Sequence, residues 1–207
     1  ASYKKAWARQ MIISFEGIEG VGKSTQINLL KDWFENQNLN TSIVREPGST
    51  MASEKIRDIL LSNEISLSNE TELLLMFAAR SQLINEKITS SEFDIILFDR
   101  YFDASIAYQG YGRGLSVDFI NQLIEFTKCP SPSMTFLLDL DVEKGFKRKS
   151  NDLKDRIESS GLDFFNKVRQ GYISIASNHP HRVKIINADQ LESVIHRQII
   201  SQIKTIL

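Results

Sequence analysis

The sequence predicts an α/β fold in which a parallel sheet is covered by helices. Two observations carry that prediction. Short apolar runs alternate with longer amphipathic stretches in a βαβα rhythm, and the strand-like runs are apolar on both faces, as buried parallel strands are. Between the first such run and the first helix stands Gly17-Ile18-Glu19-Gly20-Val21-Gly22-Lys23-Ser24, the pattern G-x-x-x-x-G-K-[ST]. At 207 residues the chain is long enough for one α/β domain with a real core.

The elements follow in order. Met11-Ile12-Ile13-Ser14-Phe15 reads as a short buried strand (11–15). In the loop after it, glycines let the backbone wrap so that its N–H groups point at phosphate oxygens. Lys23 can reach the β- and γ-phosphates of a nucleotide, and the Ser24 hydroxyl can ligate Mg²⁺. A helix over 23–36, with Ile27, Leu30 and Phe34 on one stripe, adds its N-terminal partial positive charge to the same anion site. Gly17, Ile18, Glu19, Gly20, Val21, Gly22, Lys23, Ser24 and Thr25 are therefore the expected ATP-binding residues.

A second strand, 41–45, leads into Arg45-Glu46-Pro47-Gly48-Ser49-Thr50. Pro sets one turn dihedral and Gly frees another, so this is either a shaped turn presenting Arg45 and Glu46 or an ordinary solvated loop. Helices are predicted over 53–62 and 70–89. Within the latter, Leu73-Leu74-Leu75-Met76-Phe77-Ala78-Ala79-Arg80 is apolar nearly all round, so it is core or core plus subunit interface. Arg80 in such a run needs a partner, either a substrate carbonyl or ring nitrogen or a neighbouring Asp.

The third strand, 94–98, ends at Asp99-Arg100-Tyr101. A carboxylate at that edge is placed to hold Mg²⁺ and its waters, and Arg100 is suited to bidentate phosphate binding; the alternative is a structural ion pair. If 103–109 is helical, Ser105, Tyr108 and Gln109 lie close on one face, a set suited to a base and sugar. The remaining elements are a helix 117–127, a strand 134–140, helices 142–149 and 162–177, a strand 183–187 and a helix 190–206.

The charged segment 147–160 reads as a mobile basic lid with Lys147, Arg148, Lys149, Lys154 and Arg156, or else as a solvated charge run. Phosphoryl transfer needs several cations, and the glycine-rich loop supplies only Lys23, so the lid is the expected source of another.

Composition excludes other classes. The formal net charge of −1, from 25 Lys+Arg against 26 Asp+Glu, gives no basic groove for nucleic acid. No stretch approaches a membrane span of roughly 20 apolar residues. A single Cys129 rules out an internal disulfide and fits a reducing cytoplasm. His179, His181 and His196 form no metal-ligand pattern. Residues 1–10 carry Lys4, Lys5 and Arg9 without an apolar segment and read as a frayed or appended tail before Met11, leaving 11–207 as one domain.

At this point the chain resembles the thymidylate (dTMP) kinase family of bacterial type. The matching pieces run in the family's order: Phe15-Glu16-Gly17 through Lys23-Ser24-Thr25, Arg45-Glu46-Pro47-Gly48, Ala78-Ala79-Arg80, Asp99-Arg100-Tyr101, Ala107-Tyr108-Gln109-Gly110 and Asp155-Arg156-Ile157-Glu158. The resemblance implies a nucleoside monophosphate kinase with a P-loop NTPase fold, a parallel five-stranded sheet, a homodimer, and the reaction ATP + dTMP → ADP + dTDP with Mg²⁺. It implies that Glu19 approaches the sugar 3′-OH and Arg100 grips the acceptor phosphate. Arg80 and Ser105 would read the thymine edge, and Tyr108 would pack against the 2′ carbon. Arg45, Met76, Phe77 and Gln109 complete the expected dTMP-binding set, with Met76 or Phe77 covering the base. Lys23, Arg100, Arg148 and Arg156 are the expected catalytic cations, with Lys149 a further candidate, and Ser24 and Asp99 the expected Mg²⁺ residues.

Two enzymatic alternatives are a deoxynucleoside kinase, which would want a base beside a 5′-hydroxyl, and another nucleoside monophosphate kinase. A GTP-dependent switch would carry Asn-Lys-x-Asp, whereas Asn166-Lys167-Val168-Arg169 lacks the Asp.

Overall fold

The computed structural model describes residues 10–89, 92–149 and 155–207. Five strands form one wholly parallel sheet: β1 (Met11–Glu16), β2 (Thr41–Arg45), β3 (Ile95–Asp99), β4 (Met134–Asp139) and β5 (Val183–Asn187), in the order β2-β3-β1-β4-β5. Every residue of β1 is buried because it is the central strand and is covered on both faces. Alternation sends its side chains to opposite layers. Ile12 joins Val44, Ile96 and Phe98 under Leu83, Ile84 and Ile88, while Ile13 and Phe15 join Ile27, Leu30 and Phe34 on the other side. The one polar residue mid-strand, Ser14, is hydrogen-bonded to Thr135 of β4 at 2.7 Å, so no polar group is stranded there.

The helices are α1 (Lys23–Glu35), α2 (Met51–Leu61), α3 (Asn69–Leu83), α4 (Phe102–Ser105), α5 (Val117–Phe126), α6 (Val142–Arg148), α7 (Leu162–Asn178) and α8 (Glu192–Ile203). Caps explain boundaries that periodicity blurs. Helix α2 begins two residues before the predicted 53 because the Thr50 side chain accepts from the Ser53 N–H. Helix α3 is capped by Ser68 in the same way, with Glu70 and Glu72 in its first turn. The predicted helix 70–89 changes pitch at Ile84, and residues Ile84–Ile88 form a π-helical turn closed by Thr89 N–H to Ile84 O. A longer π-helical stretch, Ile106–Gly112, continues α4.

The register pairs Phe15 and Arg45 each with Asp99, so β1, β2 and β3 deliver their carboxyl ends to one place. Chemistry belongs there in an open parallel sheet. Among the described residues no helix is long and apolar enough to cross a membrane.

Candidate active site

The loop between β1 and α1 wraps by three glycines with positive φ, Gly17 at 132°, Gly20 at 73° and Gly22 at 89°. At Gly20 a side chain is also excluded by contact. A Cβ there would lie 2.1 Å from the Gly145 carbonyl oxygen, and one on Gly145 would lie 2.6 Å from the Glu19 carbonyl oxygen. Loop and α6 touch backbone to backbone. Ile18 turns inward and is buried in the core, so its contribution to the loop is its backbone.

Lys23 is buried and donates to the Gly17 and Ile18 carbonyls at 3.2 and 3.0 Å. Burial, then the charge of Arg100, lowers its pKa to about 8. Ser24 Oγ donates to Asp99 Oδ2 across 3.4 Å, which brings the two expected Mg²⁺ residues together. That oxygen pair suits a hard cation, which in such sites takes its other ligands from water and phosphate. Among the described residues no three His, Cys, Asp or Glu side chains cluster as a complete ligand set.

Arg100 has φ of 67°, and its N–H is held by Phe15 O at 3.0 Å. Its Nη2 donates to Glu19 Oε1 at 2.8 Å, its Nη1 to Gly17 O at 2.7 Å, and its guanidinium carbon lies 5.0 Å from the Tyr108 ring centre. The Tyr108 hydroxyl donates to Glu19 at 2.9 Å. Arg80 is buried and held by protein partners: Nε donates to Glu46 Oε2 at 2.7 Å and Nη1 to Ser105 Oγ at 3.1 Å. The partner anticipated as an Asp is thus Glu46 of the shaped turn, whose Glu46–Pro47 peptide is cis.

These groups enclose a cavity of about 570 Å³. Its walls include Glu19 to Thr25, Arg45, Glu46, Met76, Arg80, Asp99, Arg100, Ser105, Tyr108, Gln109, Arg148 and Lys149. A neighbouring hollow of about 610 Å³ shares Gly20, Val21, Gly22, Thr25 and Arg148, and is completed by Gln26 and residues from Ala188 to Ile195.

Two expected residues lie elsewhere. Phe77 packs in the core with Leu73 and Ile120, beneath the Arg80 guanidinium, so Met76 is the one of the pair on the cavity wall. Arg156 does not line the cavity. Its Nη2 donates to Glu72 Oε2 at 2.8 Å and its Nε to Leu60 O at 2.9 Å. Arg45 reaches the wall, yet its guanidinium is paired with Glu54 at 2.9 Å. Of the lid, Ser150–Lys154 lies outside the described residues; its described flanks carry the ion pairs Lys149–Glu158 and Arg148–Asp189.

Sequence reasoning missed three buried partners. Glu16 ends β1 with no exposed surface, Tyr172 of α7 donates to it at 2.8 Å, and Glu72 gathers Gln109, Arg113 and Arg156. A carboxylate ending an apolar strand was a usable signal for Glu16. Tyr172 sits on an ordinary apolar stripe and gives none.

Comparison with known proteins points to one family. A model of the family described as thymidylate kinase matches residues 15–199. Thymidylate kinase of Kosmotoga olearia is 44% identical over 196 residues, covering 93% of this chain and 94% of that protein. Thymidylate kinase of Vesicomyosocius okutanii is 45% identical over 204 residues, covering 96% and 98%. The crystal structure of thymidylate kinase from Ehrlichia chaffeensis superposes with a TM-score of 0.77 at 31% identity, covering 94% of this chain and 98% of that one. With a glycine-rich anion loop, a buried arginine on the wall of the same cavity and such likeness along nearly its whole length, this chain belongs to the thymidylate kinase family.

Proposed function

We infer that the protein transfers the γ-phosphoryl group of ATP to dTMP, giving ADP and dTDP. One observation carries the reading: a single cavity has the anion loop as one wall and Arg80, Ser105, Tyr108 and Gln109 as the other, with Arg100 between them. Little covalent chemistry falls to the protein, so alignment of the two nucleotides and neutralisation of charge do the catalysis.

In this reading loop N–H groups and Lys23 hold the donor phosphates, and the neighbouring hollow near Ala188 to Ile195 takes the rest of the donor. Arg100 holds the acceptor phosphate. Arg80 and Ser105 face the base edge, Met76 covers its face and Glu19 meets the sugar. Ser24 and Asp99 would hold Mg²⁺, which offsets charge on the donor phosphates when bound. Arg148 is the lid cation best placed, since it borders both hollows. The enzyme acts in the cytoplasm as a homodimer. Exposed Leu74 of α3 and Phe119 and Phe126 of α5 support a subunit contact.

The test is a panel of acceptors with Mg-ATP, read by ADP release. Turnover with dTMP should exceed that with thymidine, AMP or GMP by at least about 100-fold, a gap equal to roughly 2.7 kcal/mol of transition-state discrimination. Preferred turnover of thymidine would make it a deoxynucleoside kinase instead.

A further inference from the structure

We propose that Tyr172, backed by Glu16, is a positioning residue that sets the plane of the Arg100 guanidinium for the acceptor phosphate. The proposal rests on the reading that Arg100 holds that phosphate.

A guanidinium is a planar fork, and bidentate phosphate binding depends on the direction of that plane. The two edges of Arg100 have different neighbours. Nη2 pairs with Glu19, which lines the cavity, whereas Nη1 is bound to Gly17 O at 2.7 Å and to the Tyr172 hydroxyl at 3.3 Å, neither residue being part of the cavity wall. One edge is anchored in protein and the other is presented.

Tyr172 has little freedom to yield. Its hydroxyl donates to Glu16 Oε2 at 2.8 Å, and Glu16 Oε1 accepts from the Tyr101 N–H at 2.7 Å. Tyr101 follows Arg100 in the chain. The path therefore closes on itself: Arg100 side chain to Tyr172, to Glu16, to the backbone beside Arg100. Both ends of the arginine are tied to one buried carboxyl group. Tyr172 and Glu16 are 2% and 0% exposed, so water offers no competing partner. The Tyr172 ring also meets the Tyr108 ring edge-on, at 6.2 Å and 80°, and Tyr108 itself lies against the guanidinium.

Tyr172→Phe keeps the ring and removes the oxygen. Affinities for dTMP and for thymidine, which lacks the phosphate, are measured by calorimetry on wild type and variant, with melting curves to check the fold. The variant should bind dTMP about tenfold more weakly, because the hydroxyl that fixes the direction of the guanidinium is gone. Thymidine affinity and KM for ATP should stay within about twofold. In an Arg100→Ala background the Tyr172→Phe change should have no further effect on dTMP. Equal weakening of dTMP and thymidine, or no change in either, overturns the positioning role. Should Tyr172→Phe fail to fold, Glu16→Met, which keeps the side-chain length but removes both acceptor oxygens, takes the same measurements, with the same outcomes deciding. If wild type itself binds thymidine as well as dTMP, the assignment of Arg100 to the phosphate falls first, and this proposal with it.

Discussion

Glu16 carries its carboxyl into the sheet with no exposed surface. Burial, reinforced by the negative charge of Asp103, raises its pKa from 4.5 to about 8. The folded chain therefore keeps a proton that the unfolded chain releases between those values. Stability from this group is fully present below pH 4.5, falls as pH rises toward about 8, and levels off above it. Glu16→Gln has no proton to lose, so its stability relative to wild type should improve by a few kcal/mol, in order of magnitude, between pH 5 and pH 8.5. Urea unfolding at a series of pH values measures this, and parallel curves for the two proteins would refute the assignment. Residues at this scale were unevenly legible. Lys23, Ser24 and Asp99 announce themselves by motif and by position at a strand end. Arg156 did not, because its partner Glu72 is 84 residues away in sequence and nothing in the local charge run indicates which way it turns. Met76 and Phe77 could not be ranked either, since an all-round apolar helix hides which of two neighbours faces a cavity.

Between elements, the anion loop and α6 meet too closely for a side chain on either glycine. Gly145→Ala would place a methyl 2.6 Å from the Glu19 carbonyl, so either the helix or the loop must move. Helix propensity favours alanine there, by about 1 kcal/mol, but overpacking against backbone costs about 1–3 kcal/mol. The expected outcome is a rise in KM for ATP of roughly fivefold or more with a small fall in melting temperature, read by initial rates and calorimetry. Unchanged KM would mean that α6 shifts and the loop does not. The inner strands β1, β3 and β4 were legible because each is short, apolar on both faces and bounded by turn residues, whereas the edge strands β2 and β5 are buried only in part. The π-helical stretch Ile106–Gly112 was not. Its wider turn comes from N–H to C=O spacing, as in Arg113 N–H to Tyr108 O, and leaves the side-chain pattern close to that of an α-helix. That stretch carries Tyr108 and Gln109 onto the cavity wall, so part of the site depended on a geometry the sequence does not advertise.

For the molecule as a whole, assembly is the property most open to a direct measurement. Light scattering should give twice the mass of the chain, and Leu74→Arg should yield a monomer with unchanged circular dichroism, because a guanidinium buried in an apolar contact lacks a partner. A wild-type monomer would remove the dimer. The sheet itself needs no such partner, since its core is closed on both faces within one chain. Glu72 spans the molecule in another way. It belongs to α3, yet it receives Gln109 from the cavity wall, Arg113 from the end of the same π-helical stretch and Arg156 from the C-terminal part of the lid segment. Burial would raise its pKa, but donors from Arg113 and Gln109 hold it below the ordinary carboxylate value. Were Arg156 to swing away, Glu72 would still keep Gln109 and Arg113, so that arm is a detachable mooring. Glu46, among the described residues, pairs with Arg80 alone and could not release it without being left a buried carboxyl with no partner.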